Sequence, residues 1–303
     1  MRCLATLLLF LLTVLGLSSC EDIINPELEA ADPVLVVDAW INDLNKTQTI
    51  VLTWSQPYFE YSVPPAVSGA TVAVRDEVGK VFLFLESAAK AGYYEWTASG
   101  SDTLRVGGKY ALEIVVGAET FQSTSYMGRV PTIDSVTFDE DDNLATGDKL
   151  IRAEFWATEP AGQGDAYWIK TYKNGQLLLK PSEINIAFDA GLSVGGPADG
   201  VIFIPPVRRR INANDTDDDG LLISPIKAGD SVLVEIHSVT VAAFTYLNEV
   251  SIQTNRPGGF SELFATPLAN VSTNMINTNP GGTRVVGFFN VSAVEFNGAR
   301  YTP

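Results

Sequence analysis

The fold class is indicated most clearly by residues 109–125, which read KYALEIVVGAETFQSTS. Large apolar side chains fall on alternate residues, Tyr110, Leu112 and Ile114, and successive side chains of a β-strand point to opposite faces. Gly117 and Ala118 supply a turn signal, and a second alternating segment begins at Glu119. The stretch therefore predicts two β-strands separated by a turn.

Segments of the same kind fill the chain from residue 34 to about residue 130. Turn signals separate them, such as Val78-Gly79 and Gly107-Gly108. About seven short strands over about 100 residues are typical of an immunoglobulin-like β-sandwich. The Cys–Trp–Cys pattern of true immunoglobulin domains is absent, so only the architecture is predicted. The predicted strands are 34–41, 48–56, 70–76, 80–86, 93–98, 109–116 and 119–125.

Pro131 marks a predicted junction, after which a second β-rich domain runs from residue 131 to residue 303. Two domains agree with the usual size of about 150 residues each. Asn174-Gly175 is a hairpin signal within the second domain. Its predicted strands are 133–139, 150–157, 166–173, 176–179, 201–204 and 231–239, with a last pair inside residues 283–296.

Residues 241–253 differ from their surroundings. Ala243, Leu247 and Val250, with Phe244 beside them, fit one face of a helix. Asn255 and the Pro-Gly-Gly that begins at residue 257 would end it. The second domain is therefore expected to carry one α-helix packed against its sheet.

The amino terminus resembles a bacterial lipoprotein signal. A basic start precedes an apolar run over residues 4–17, which is short for a membrane span but suits a signal-peptide core. Leu17-Ser18-Ser19-Cys20 resembles the lipobox, which implies cleavage after residue 19 and lipidation of Cys20. An ordinary secretory signal with an incidental Cys is the alternative. The polar residues 20–33 then form a tether.

Composition excludes several classes of function. The formal net charge is −16, so the chain repels phosphate backbones and nucleic acid is not an expected partner. Cleavage and lipidation would leave no free thiol, which excludes a Cys nucleophile and a Cys-based zinc site. The chain has one His, His237, on a strand face with Leu233 and Glu235. That face is expected to be mixed and half-exposed, and catalysis there is not favoured.

An aromatic loop is the predicted ligand or partner site. Tyr58, Phe59 and Tyr61 follow Gln56-Pro57 and precede a pair of prolines. Exposed aromatic rings can stack on sugars or contact a partner protein. The alternative is that the rings pack back and close one end of the sandwich.

An acidic turn is the predicted metal site. Asp215, Asp217 and Asp219 have the D-x-D-x-D-G spacing that lets carboxylate oxygens converge on calcium, and Gly220 permits the turn. The twelfth position of such a loop is Ile226 rather than Glu, so the ligand set is incomplete. A solvated acidic turn is the alternative reading. The sequence predicts no required cofactor, and calcium is the one metal ion that it suggests as a possible ligand.

Other charged residues offer weaker patterns. The arginines 208–210 are expected to face solvent, or to clamp a carboxylate, or to pair with the acidic turn nearby. No phosphate-binding glycine loop is present. Among 36 acidic residues, no pair stands out for glycoside hydrolysis.

The order of several loose motifs resembles one family. These are the lipobox with its acidic tether, LVVDAWI at 35–41, SQPYF at 55–59, VSGATV at 67–72, VPTIDSV at 130–136, NVSTN at 270–274 and VGFF at 286–289. The chain is similar over nearly its whole mature length to Bacteroidota outer-membrane lipoproteins of domain-of-unknown-function family 4249. Genes of that family often lie beside TonB-dependent receptors, and no catalytic or ligand residues are established for it.

The resemblance implies a membrane-anchored accessory protein. Glu21 and Asp22 resemble the surface-export signal of such lipoproteins, which implies the cell surface, with the periplasmic face as the alternative. The leading hypothesis is a non-enzymatic binding lipoprotein that works beside a TonB-dependent nutrient transporter. The alternatives are a carboxylate-dependent surface hydrolase of glycans or peptides, and a structural surface or assembly protein.

Overall fold

A computed structural model describes residues 31–57, 60, 62–99, 103–142, 149–217, 221–256 and 258–303. The predicted signal peptide and Cys20 lie outside these residues, so the structure does not bear on them. The portion from Pro33 to Pro303 forms one compact unit.

The predicted hairpin at residues 109–125 is confirmed. Strand β6 (Lys109–Val116) pairs antiparallel with β7 (Glu119–Tyr126), and Gly117 makes the turn with a φ of 59°. Tyr110, Leu112 and Ile114 are buried, whereas their neighbours in the strand are half-buried or exposed. The alternation read from the sequence thus corresponds to a core face and an outer face.

Nine strands form the first sheet, in the order β14-β7-β6-β3-β4-β5-β2-β1-β15. Its strands contribute to one apolar core, which includes residues such as Ile50, Phe84 and Phe121. The remaining strands of this sheet are β1 (Leu35–Asn42), β2 (Thr47–Trp54), β3 (Thr71–Asp76), β4 (Val81–Glu86), β5 (Tyr93–Thr97), β14 (Ile276–Asn277) and β15 (Val285–Ser292).

A second sheet and a separate strand pair make up the rest. The second sheet runs β11-β10-β13-β16, with β12 pairing to β10, while β8 pairs only with β9. Tyr167, Val234 and Ile236 lie in a second apolar core together with Phe155 of β9. The bounds are β8 (Ile133–Asp142), β9 (Lys149–Ala157), β10 (Ala166–Lys173), β11 (Gln176–Leu177), β12 (Asn185–Phe188), β13 (Ser231–Val239) and β16 (Val294–Arg300).

The predicted helix is confirmed and is longer by one residue. It spans Val241–Thr254, and the hydroxyl of Thr240 caps it by accepting a hydrogen bond from the amide of Ala243. Ala243, Phe244 and Leu247 are buried and pack against β12. A one-turn helix covers Pro205–Arg208, and short 3-10 helices cover Pro181–Glu183 and Gly259–Phe264. The predicted fold class, mainly β with a sandwich-like part and one packed helix, is confirmed.

The consecutive strands β15 and β16, near the carboxyl terminus, connect the two sheets. Strand β15 pairs parallel with β1 in the first sheet, and after Ala293 the chain continues as β16 against β13 in the second. The amide and carbonyl of Ala293 both bond to Ser238. The first sheet therefore contains β14 and β15, although both come from the carboxyl-terminal part of the sequence.

Candidate functional site

A cluster of aromatic rings lies where the two sheets meet. Trp40 of β1 contacts Trp168 of β10 edge-on, with ring centroids 5.0 Å apart. Phe288 stacks on Trp40 at 5.8 Å, and Tyr246 of the long helix lies 4.8 Å from Phe288. Both sheets and the helix thus contribute a ring to one junction.

Strand alternation positions the two tryptophans. In β1, Ala39 and Ile41 point into the core of the first sheet, so Trp40 between them points to the opposite face. In β10, Tyr167 and Ile169 point into the second core, so Trp168 also points away from it. The two outward faces are apposed, and the rings meet between them.

A cavity of about 250 Å³ opens beside this cluster. Its aromatic lining is Trp40, Trp168 and Tyr246, and the charged side chains that reach it are Lys170, Lys180 and Glu183. Residues 177–179 with Ile184, Leu247 and Val250 supply most of the apolar wall. We call this cavity the junction cleft. Clefts between structural units are common binding sites because several elements can contribute side chains to them.

Lys170 is the only charged side chain of the cleft that lacks an ion pair or hydrogen bond with the described residues. Its Nζ lies 4.0 Å from the centroid of the Trp168 ring, which is a cation–π contact. Burial lowers the pKa of Lys170 to about 8, and the nearby Glu235 opposes that shift. The ammonium is therefore still the main form at pH 7.

The carboxylate of Glu235, close to Lys170, already accepts hydrogen bonds from other side chains. Glu235 pairs across the strands with Lys170, yet its Oε2 accepts hydrogen bonds from His237 at 2.9 Å and from the Tyr172 hydroxyl at 3.2 Å. Burial lowers the pKa of His237 to about 4, so its imidazole is neutral at pH 7 and donates its Nε2 proton to Glu235. His237 is only 4% exposed, so the expected half-exposed face is wrong.

A second polar cluster contains two acids in direct contact. Glu159 is 1% exposed, hydrogen-bonds to Asp165, and accepts hydrogen bonds from the Tyr167 hydroxyl at 3.2 Å and the Gly200 amide at 2.6 Å. Burial, reinforced by Asp165, raises the pKa of Glu159 to about 7. Arg129 binds Asp165 at 2.7 Å. This arrangement joins loops 159–165 and 198–200.

The predicted metal residues have other partners. Lys180 binds the Asp215 carboxylate at 2.9 Å, and Asp217 accepts a hydrogen bond from the Leu221 amide at 2.9 Å. Asp219 lies outside the described residues. Among the residues that the structure describes, no group of three His, Cys, Asp or Glu side chains is placed to hold a metal ion.

Of the two other predicted sites, the aromatic loop lies outside the described residues and the arginine cluster lies within them. Tyr58, Phe59 and Tyr61 lie outside the described residues, so the aromatic-loop hypothesis stays a prediction. Arg208 binds Glu154 at 2.8 Å and stacks on Trp156 at 4.0 Å. The expected options of a charged outer face or a pairing with the acidic turn are therefore wrong for Arg208.

Sequence reasoning did not identify the junction cleft. One signal was present, because alternation in β10 places Trp168, Lys170 and Tyr172 on the same face. Two aromatic residues and a lysine are unusual on a strand face that a second sheet covers. Trp40 gave no such signal, since its partner comes from a distant part of the chain.

Comparison with known proteins assigns the chain to a family. No helix in the described part of the chain has the length and apolar character that a membrane crossing requires. A search of curated proteins found no match. The family model described as "Domain of unknown function (DUF4249)" matches residues 21–296, which is most of the sequence. The chain therefore belongs to this family.

Proposed function

We propose that the protein is a lipid-anchored binding protein of the outer membrane, which presents the junction cleft to a small ligand at the cell surface. Cys20 carries the lipid, and residues 20–33 connect it to the fold. The protein passes its ligand to a TonB-dependent transporter beside it. The observation that carries the binding role is the junction cleft, in which a charged lysine lies among aromatic rings without a carboxylate partner.

The chemistry of the described residues favours binding over catalysis. A general base needs a pKa near the working pH and access to substrate. His237 is buried, neutral and bonded to Glu235. Glu159 has a suitable pKa of about 7, but it is also buried and all its contacts are structural.

Purification of the full chain from detergent-solubilised outer membranes tests the anchor and the partner together. We expect mass spectrometry to find an acylated amino-terminal Cys20, and we expect a TonB-dependent receptor to co-elute. A Cys20→Ser variant is the matched control and should leave the membrane fraction. An uncut amino terminus, or a lipidated chain that elutes without any receptor, would contradict the proposal.

A surface hydrolase is the second candidate, and the observation that favours it is the pKa of about 7 of Glu159, which suits a general acid or base. Glu159 and Asp165 hydrogen-bond directly, whereas the carboxyl groups of glycosidases are separated by about 5–10 Å. Turnover of chromogenic glycosides and peptide anilides by the wild type and by Glu159→Gln decides the matter. A rate that the wild type shows and Glu159→Gln loses would establish the hydrolase.

A further inference from the structure

The junction cleft contains more hydrogen-bond donors than acceptors. Lys170 Nζ, the indole nitrogens of Trp40 and Trp168, and the Tyr246 hydroxyl make no hydrogen bond with the described residues. The one carboxylate in the lining is Glu183, and it accepts a hydrogen bond from the amide of Lys180. A site with unused donors favours a ligand that brings acceptor oxygens.

The charge of Lys170 restricts the chemical class of the ligand further. Asp38, Glu235 and Lys46 act on it electrostatically, but none of them forms an ion pair with it in the described structure. An oxyanion at Nζ would supply the missing partner in a partly desolvated place, where charge-assisted hydrogen bonds are strongest. Because Asp38 and Glu235 add negative charge nearby, a ligand with a single negative charge fits better than a polyanion.

The remainder of the lining is apolar and aromatic. Trp40 and Trp168 present ring surfaces, and Leu247 and Val250 of the long helix add aliphatic side chains to the lining. A sugar would bring hydroxyl groups that find few partners on such walls, and each buried unpaired hydroxyl is costly. A volume of about 250 Å³ suits a compound with one ring.

We propose that the junction cleft binds a monocarboxylate that carries one apolar ring. The carboxylate accepts hydrogen bonds from Lys170, and the ring packs against Trp40, Trp168 and Tyr246. This inference rests on the proposed binding function and specifies its ligand class.

Tryptophan indole resonances of the full chain report on the cleft directly. The chain has five tryptophans, of which Trp40 and Trp168 line the cleft, while Trp54, Trp96 and Trp156 serve as internal controls. Three probes share one ring and differ in charge: phenylacetate, phenylacetamide and phenethylamine. We expect phenylacetate to shift the two cleft indoles, and we expect the amide to bind at least about tenfold more weakly.

A Lys170→Met variant should remove the preference for phenylacetate over phenylacetamide. Lys173→Met is the matched control, because it removes the same charge from the same strand at a residue that pairs with Asp230 instead. Equal binding of acid and amide, unchanged in Lys170→Met, would overturn the ligand class and leave the binding function standing. If none of the three probes shifts either cleft indole, the cleft does not take ring compounds and the proposed ligand class is overturned, while the binding function is judged by the outer-membrane purification.

Discussion

Gly287 lies directly opposite Val37 where β15 runs parallel to β1, and the backbone of Val37 occupies the space that a side chain at Gly287 would need. Gly287 also has a φ of 98°, a conformation that L-residues with a side chain rarely adopt. The pairing joins an early strand to a late one, and β15 leads directly into the second sheet. The position of β16, and with it the junction cleft, therefore depends on this contact.

Substitution of Gly287 by Ala should destabilise the fold by about 3 kcal/mol or more, because backbone strain and a steric clash act together. Gly281→Ala is the matched control: its φ is 72°, but nothing lies within 4 Å of the added Cβ. The control should cost about 1 kcal/mol. Urea unfolding measures both variants, and equal midpoints would contradict the role given to Val37.

The side chain of Asn274 hydrogen-bonds to the free edge of β15. Asn274 donates to the carbonyl of Phe289 at 2.8 Å and accepts from its amide at 3.0 Å, as a neighbouring strand would. Asn274→Ala should lower the free energy of unfolding by about 1–3 kcal/mol, because it leaves both backbone groups without this partner. Asn45→Ala, in an exposed turn, should change it by less than about 0.5 kcal/mol. Thermal unfolding distinguishes the two; a difference smaller than experimental error would mean that Asn274 does not support the edge.

The contact between Glu159 and Asp165 should make stability depend on pH. The pKa of Glu159 is about 7 in the fold and near 4.5 in the unfolded chain, so the folded state holds a proton that the unfolded state loses. Stability from this group is complete below pH 4.5 and is lost as the pH rises to 7. Glu159→Gln cannot ionise, so its stability relative to the wild type should rise over this window by on the order of 2 kcal/mol. Urea unfolding at intervals from pH 4 to pH 8 measures this difference, and a constant difference would exclude the assignment.

Binding of phenylacetate should follow the charge of Lys170. Its pKa of about 8 means that the ammonium is present below pH 8 and is lost above it. His237 is already neutral in this range, and burial keeps the Tyr246 hydroxyl protonated by raising its pKa. Asp38, Glu235 and Lys46 are the other charged groups that act on Lys170. The affinity should be nearly constant from pH 6 to pH 7 and should then fall, by up to about tenfold per pH unit. Titrations at each pH measure the affinity, with phenylacetamide as the pH-independent control. An affinity that is constant to pH 10 would show that the charge of Lys170 does not contribute to binding.

Local patterns predicted most of the strands well. Residues 109–116, 166–173 and 231–239 form strands with the predicted bounds, because alternation and turn signals are both local in sequence. Strand β12 (Asn185–Phe188) was missed, since all four of its residues are buried and no alternation marks it. The predicted strand at 201–204 forms a single bridge to Thr158, because Pro205 and Pro206 follow and begin a helical turn.

The pairing of distant segments could not be predicted in this way. No local pattern indicates that β15 adds to the edge of the first sheet beside β1, and the junction cleft depends on that pairing. Trp40 therefore looked like an ordinary strand residue. The sequence instead drew attention to short local motifs, the aromatic loop at Tyr58 and the acidic turn at Asp215, which are recognisable without knowledge of the tertiary structure.

Growth of the source organism across a panel of nutrient sources tests the binding role of the junction cleft most directly. The strains compared are the parent, a deletion strain, and strains that carry Trp168→Ala or the control Trp156→Ala at equal protein abundance. We predict that the deletion and Trp168→Ala fail to grow normally on the same source, whereas Trp156→Ala grows like the parent. A Trp168→Ala strain that grows normally wherever the deletion strain fails, or a deletion strain without any defect, would contradict the proposed function.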